Sequence, residues 1–461
     1  ACAKTRMTNS NENCTIDFPH PKKMLAEKPN FHPGFKMSEI PSDSTWGAHD
    51  PAIFKDPETG YYYAYCTHYI FYRSKDMINW ENMGKIMEKP PKDAIEWTRS
   101  KDMWAPDIIK VGDEYRLYCS NSSWGVQQSI IFLAVSNHAE GPFLPRGTVL
   151  KTDDTMPVNG IDANLVIEEE TGIPYMVYGS FWGGCHILKL DKETGLAAEA
   201  GVGTCLARRP KFMDTAVEGP YIRYHKETGY YYLFVSYGSL HNDYNIRVGR
   251  SKCITGPYLD HNGRDMTDLD DIDNSLGFMP MCGYHFEGDK AYMGPGHNSV
   301  LCDDDGRWYL FCHIREADFK YPQLSNMHIY QMFFTEDGWP VVNPMRYAGE
   351  RRQKIERKDI VGRYDRIRLA PAMPQGVTNS VSLKLNQNGR MECCSIIGTW
   401  KMKGEDMIEL QYGPIKETLF VCPAWDWERM EPTLALTGTD NQGICIFGRK
   451  ITVKKTVKGN V

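Results

Sequence analysis

The chain has 461 residues, of which 41% are hydrophobic and 12% aromatic, and carries a net charge of −6. No basic run is present, which excludes a nucleic-acid partner, and no apolar stretch approaches the length that spans a bilayer. The 14 cysteines contain no Cys-x-x-Cys pair, so the common zinc patterns are excluded as well.

The sequence begins Ala1-Cys2 instead of with Met, and a polar stretch rich in Lys and Asn runs from Lys4 to Lys28. Cys2 is a candidate for lipidation after signal cleavage, with an arbitrary chain boundary as the alternative. Residues 1–40 are expected to be an N-terminal extension. The protein is expected to be a monomer that is secreted, periplasmic or a cell-surface lipoprotein.

From His49 onward short polar words recur. They are His49-Asp50-Pro51, Ala105-Pro106-Asp107, Ile161-Asp162-Ala163, Glu218-Gly219-Pro220 and Gly296-His297-Asn298. Asp50 to Asp107 is 57 residues, Asp107 to Asp162 is 55, and Asp162 to Glu218 is 56. The step to His297 is 79, with a polar insertion from Asp260 to Asp273 inside it. After each word comes an aromatic strand: Tyr61–Tyr65, Tyr115–Tyr118, Tyr175–Tyr178, Tyr230–Phe234 and Trp308–Phe311. A third alternating run closes each unit, twice on a Gly-Pro-aromatic word (Gly141-Pro142-Phe143 and Gly256-Pro257-Tyr258). Five strand-rich units at this step predict an all-β fold, a five-bladed β-propeller over residues 41–348, with a β-sandwich as the alternative.

Residues 349–461 are also β-patterned. Runs such as Val381–Leu385, Gly398–Met402, Met407–Leu410, Thr418–Val421, Thr433–Leu436 and Ile444–Phe447 predict a small barrel or sandwich with an accessory role. Trp425 and Trp427 are read as filling that module. Cys66, Cys119 and Cys312 fall inside the aromatic strands, where free Cys acts as a small apolar residue.

In a propeller the innermost strands start beside one channel, so Asp50, Asp107, Asp162, Glu218 and His297 are expected to converge. Two separated carboxylates in a sugar-sized channel suit glycoside hydrolysis, one as general acid and one as base or nucleophile. A third, close carboxylate raises the acid's pKa by like-charge repulsion.

At this point the chain resembles glycoside hydrolase family 43, and within it the two-domain endo-α-1,5-L-arabinanases. The words that carry the resemblance are His49-Asp50-Pro51, Trp104-Ala105-Pro106-Asp107, Ser120 to Trp124, Gly160-Ile161-Asp162, Tyr178 to Gly184, Val217-Glu218-Gly219-Pro220, Gly249-Arg250-Ser251 and Gly294 to His297. The resemblance implies an inverting enzyme acting on arabinan or arabino-oligosaccharides. In it Asp50 is the general base, Glu218 the general acid and Asp162 the carboxylate that tunes the acid. Asp107 is implied to be structural. His297 is implied to hold a calcium ion in the channel, the alternative being a neutral, hydrogen-bonded histidine. The sequence departs from the arabinanase pattern at Ala163, where Pro is usual, at Glu-Gly-Pro and at Gly-His-Asn-Ser, which leaves endo and exo action both open. Trp46, Trp104, Trp124, Phe181 and Trp182 are candidate sugar platforms, Trp182 foremost. The alternatives are an exo-acting α-L-arabinofuranosidase or β-xylosidase on the same scaffold, or a propeller that only binds glycans.

Overall fold

The computed structural model describes residues 16–21, 29–317, 324–372 and 376–452. Cys2 lies outside them. Five sheets surround one channel, and the first four are each antiparallel and drawn from a continuous stretch of chain. Their innermost strands are Ala52–Lys55, Trp104–Val111, Asn164–Ile167, Val217–His225 and Ala291–Cys302. The first four blades have four strands each. The fifth adds Tyr284–His285 and Thr378–Asn379 to its four, which carries its sheet towards the C-terminal module.

The aromatic second strands hold the ring together. A buried tyrosine needs a partner for its hydroxyl, and here the partner lies on the neighbouring blade. Tyr65 donates to the Ala139 carbonyl (2.7 Å) and Tyr118 to the Gly195 carbonyl (2.6 Å). Tyr232 donates to the Gly338 carbonyl, and Tyr62 to the Asp303 carboxylate. Each of these rings is buried, so one residue type supplies packing area and a blade-to-blade tie together.

A second regularity lies at the channel. One residue per blade takes a left-handed backbone, just before or near the start of the inner strand in the first four blades and within it in the fifth: Asp50 (φ 53°), Ala105 (41°), Asp162 (64°), Gly219 (58°) and His297 (44°). Four of these are not glycine, and such strain collects at functional sites. The kink also corrects the repeat alignment. Asp50, Asp162 and His297 are equivalent, but Asp107 lies two residues past its blade's kink and Glu218 one residue before.

The residue two past the kink is a strut. Asp107 Oδ2 accepts the Leu165 N–H (2.7 Å) and the Asn164 side-chain amide (2.9 Å). Asn164 Oδ1 accepts the Ile222 N–H (2.8 Å), and Ser299 Oγ accepts the Ile53 N–H (3.1 Å). Each strut therefore grips the next blade one residue further along. Asp107 is 1% exposed and joins this ring through Oδ2.

The C-terminal module is a closed eight-stranded barrel, Gly362–Leu369 through Cys445–Lys450. Its interior is filled by Leu383, Met391, Trp400, Leu410 and Leu434, and Ile16 and Phe18 from the N-terminal region pack into the same cluster. Trp425 is buried against His20, and the Trp427 indole donates to the Arg346 carbonyl (3.0 Å), so both fill space. Arg449 ties the barrel to the propeller, bridging Asp365 (2.5 Å) and Asp289. Cys66, Cys119 and Cys312 are buried free thiols. No helix among the described residues is long and apolar enough to cross a membrane.

Candidate active site

A cavity of about 750 Å³ opens at the channel mouth and is walled by all five blades. Asp50, Asp162, Glu218 and His297 line it together. The backbone places them by one rule. The N–H of each kinked residue donates to a polar side chain ending the preceding blade's aromatic strand. Ala105 donates to Thr67 (2.8 Å), Asp162 to Ser120 (2.9 Å), His297 to Ser236 (2.7 Å) and Asp50 to His313 Nδ1 (3.0 Å). The fourth blade departs from the rule. The Gly219 N–H donates to Asp162 Oδ2 (3.2 Å), which frees Ser180 to donate to Glu218 Oε1 (2.9 Å). The symmetry breaks where the third carboxylate is needed.

Asp50 is surrounded by imidazoles and a hydroxyl donor. Thr67 donates to its Oδ2 (2.6 Å), and the imidazoles of His297, His313 and His49 lie 3.1, 3.3 and 3.5 Å from its Oδ1. Burial pushes its pKa up, but the imidazoles outweigh burial and hold it well below the usual carboxylate range. Asp50 is therefore ionised.

Glu218 and Asp162 have the opposite balance. For Glu218, burial raises the pKa, and the opposing effects of His297, Tyr244 and Ser180 do not cancel it. Tyr244 donates to Glu218 Oε2 (2.9 Å). For Asp162, burial again dominates, His297 opposes it, and the charges of Glu218 and Asp50 push the pKa up to about 8. Two buried carboxyls that repel one another cannot both ionise near neutrality, so the pair keeps a proton. His297 is shifted up: burial lowers its pKa, and Asp50, Asp162 and Glu218 more than offset that. One ionised carboxylate facing a proton-holding pair can deprotonate a water on one side and protonate a leaving oxygen on the other.

Calcium seeks oxygen ligands, and His297 offers nitrogen towards a cluster rich in carboxylate. The buried Nε2 of His313 has no partner within the protein, which marks a place for ordered water on that floor. Among the described residues, the side chains that converge closely enough to hold one ion are His49, Asp50 and His313, beside His297.

Phe181, Trp182, Trp104 and Trp124 line the cavity, and Trp182 and Trp124 are exposed (39% and 73%). Trp46 does not belong with them. It is buried against Phe31 and lines a separate small cavity beside Trp80 and Tyr347. Its position just before the first word suggested the mouth, but the chain turns through Gly47 and seats the indole between the first and fifth blades, bridged to Asn326. The residues that sequence reasoning missed are Thr67, Ser180, Tyr244 and His313. All but Tyr244 share a detectable signal, a polar residue closing the aromatic strand 15–18 positions after each kink.

Residues 45–340 match the family model for glycosyl hydrolases family 43, and residues 344–448 match a C-terminal lipocalin-like domain that accompanies it. An extracellular endo-α-(1→5)-L-arabinanase of Thermotoga petrophila is 30% identical over 91% of this chain and 97% of its own length. The crystal structure of the endo-1,5-α-L-arabinanase from the same organism superposes with a TM-score of 0.81 at 30% identity, covering 90% of this chain and all of that one. An extracellular exo-α-(1→5)-L-arabinofuranosidase of Cellvibrio japonicus is 32% identical, over 64% of this chain and 86% of its own length.

Proposed function

The chain belongs to glycosyl hydrolase family 43, and on that footing we propose that it is an inverting endo-α-1,5-L-arabinanase that degrades plant arabinan outside the cell. The observation that supports this most is the split within one cavity between ionised Asp50 and the proton-holding pair Glu218 and Asp162. Asp50 takes a proton from water, and the hydroxide oxygen bonds to the anomeric carbon from the face opposite the leaving group. Glu218 gives its proton to the glycosidic oxygen as that carbon–oxygen bond breaks. The cycle ends with Asp50 protonated and Glu218 ionised, and proton exchange with solvent resets both. Asp162 holds Gly219, and so the turn carrying Glu218, in place and keeps the acid's pKa high. Arabinan is neutral, so the aromatics at the mouth bind it by stacking. Bound at His297, calcium would supply positive charge beneath the carboxylates.

The reading of internal cleavage is favoured by likeness to the endo-acting relative along both modules; the exo-named relative covers only 64% of the chain. The test is product analysis on linear and branched arabinan, beside xylan and aryl glycosides. Mid-length oligosaccharides should appear first, with the β-anomer leading by NMR. Arabinose alone from the first minutes would replace this reading with an exo-acting one. Inert arabinan would remove it.

A further inference from the structure

Building on the roles of Glu218 and Asp50 above, we propose that Tyr244 is a positioning residue that ties the acid to the base through a stack of three rings. Its hydroxyl donates to Glu218 Oε2 at 2.9 Å while Ser180 holds Oε1 at the same distance, so both acid oxygens are fixed. Its ring lies nearly parallel to the His313 imidazole, with centroids 5.7 Å apart and planes at 9°. His313 lies in turn on His49, at 4.0 Å and 7°. Both imidazoles reach Asp50: His313 Nδ1 accepts the Asp50 N–H, and His49 Nε2 stands 3.5 Å from Oδ1. The stack begins at the acid, ends at the base, and crosses the fourth, fifth and first blades.

The fold is shaped around this ring. A Cβ added at Gly296 would sit 2.1 Å from the Tyr244 ring, so the fifth inner strand carries glycine where the phenol passes. Tyr244 is 1% exposed, and its backbone N–H is held by the Ser239 carbonyl (2.9 Å), so the ring has little freedom. An inverting enzyme needs its carboxyls roughly 6.5–9.5 Å apart, with room for one water. Rigid rings in offset contact make a spacer of that order. The hydroxyl has a second consequence. It donates to the carboxylate that remains after proton transfer, so it favours the form in which the acid finishes its step.

Aryl α-1,5-L-arabinobiosides with leaving groups from 2,4-dinitrophenol to phenol test both parts. Tyr244→Phe keeps the ring and removes the hydroxyl. Its kcat/KM should fall at least tenfold further on the phenyl than on the dinitrophenyl substrate, because only the poor leaving group needs a proton, and KM should change little. Equal losses across the series overturn the role of the hydroxyl. Tyr244→Leu also removes the stacking face. It should add a loss of at least tenfold that is the same for every leaving group, because a displaced base slows water attack regardless of what departs. A Leu variant no worse than Phe on the dinitrophenyl substrate overturns the stack. Tyr244→Met, closer in volume, replaces it if Leu does not fold. Glu218→Gln is the reference: if its loss shows no dependence on leaving group, Glu218 is not the acid, and the proposal fails with that reading whatever Tyr244 does.

Discussion

Asp162→Asn should move the basic limb of the kcat/KM profile to lower pH. The Asp162 carboxyl is buried beside Glu218, and its pKa stands at about 8 against an ordinary 3.8. Burial is the largest cause and would act on Glu218 without any neighbour. The repulsion between the two carboxyls is mutual, so only that share leaves the acid when Asp162 becomes neutral. Each tenfold change in the acid's proton affinity corresponds to about 1.4 kcal/mol. Asparagine retains an oxygen to accept the Gly219 N–H, now 3.2 Å from Oδ2, so the turn bearing Glu218 keeps its anchor. The expected result is a basic limb moved to lower pH with reduced kcat. Stability supplies an independent measure. A carboxyl whose pKa is raised on folding stabilises the fold fully below its unfolded value, and that contribution is lost as pH rises through about 8. The variant lacks this loss, so its Tm relative to wild type should climb between pH 4 and pH 8. An unmoved limb with normal turnover, or a Tm difference flat across that window, would refute the reasoning.

Glu218→Gln should lower kcat/KM on arabinan by about 10²–10⁴-fold; activity within threefold of wild type in a folded variant ends its assignment as the acid. Chelation should lower activity or Tm, calcium should restore it, and His297→Ala should abolish the response; chelator-insensitive activity in the wild type removes calcium from the channel. Asp107→Ala strands the Leu165 N–H and the Asn164 amide, at about 1–3 kcal/mol each. Calorimetry should show a lower Tm while kcat stays within a fewfold, and a large kcat loss without a Tm change contradicts the strut. Glu350 is buried with its pKa pushed up to about 8 by burial, so its stabilising contribution is lost as pH rises from about 4.5 through 8. Glu350→Gln should raise Tm at pH 9 and not at pH 4, and equal effects at both overturn the argument.

The propeller was legible because its repeat carries three beats, and the aromatic beat has a direct physical cause in the tyrosine hydroxyls that reach the next blade. The carboxylates were legible because buried acids at repeat positions are costly without a purpose. Their register was not. Asp107 and Glu218 look equivalent to Asp50 by spacing, but only the left-handed backbone shows which residue of each word turns into the channel. Trp46 misled for a related reason, since nearness in sequence to a site residue does not survive the turn at Gly47. Tyr244 was invisible because its role depends on a partner 26 positions away in sequence and on a glycine in another blade. The barrel's strand pattern was readable, but sheet closure depends on the pairing of Gly362–Leu369 with Cys445–Lys450, which alternation cannot reveal.

Because the first and fifth blades share no sheet, the ring is shut by a clasp between them. Beyond one backbone bridge, from Trp46 to Asn326, the first and fifth blades meet through an apolar seam, in which Ile53, Tyr72 and Trp80 pack with Leu301, Tyr309 and Phe311, and through polar ties: Ser299 to the Pro51 carbonyl (2.6 Å), Thr45 to Asn326 (2.8 Å) and the Gly47 N–H to the Ser325 carbonyl (2.8 Å). Asp50 sits on that clasp, held from the far side by His313 and His297. Any parting of this seam is therefore also a motion that takes the water-activating group away from its partner.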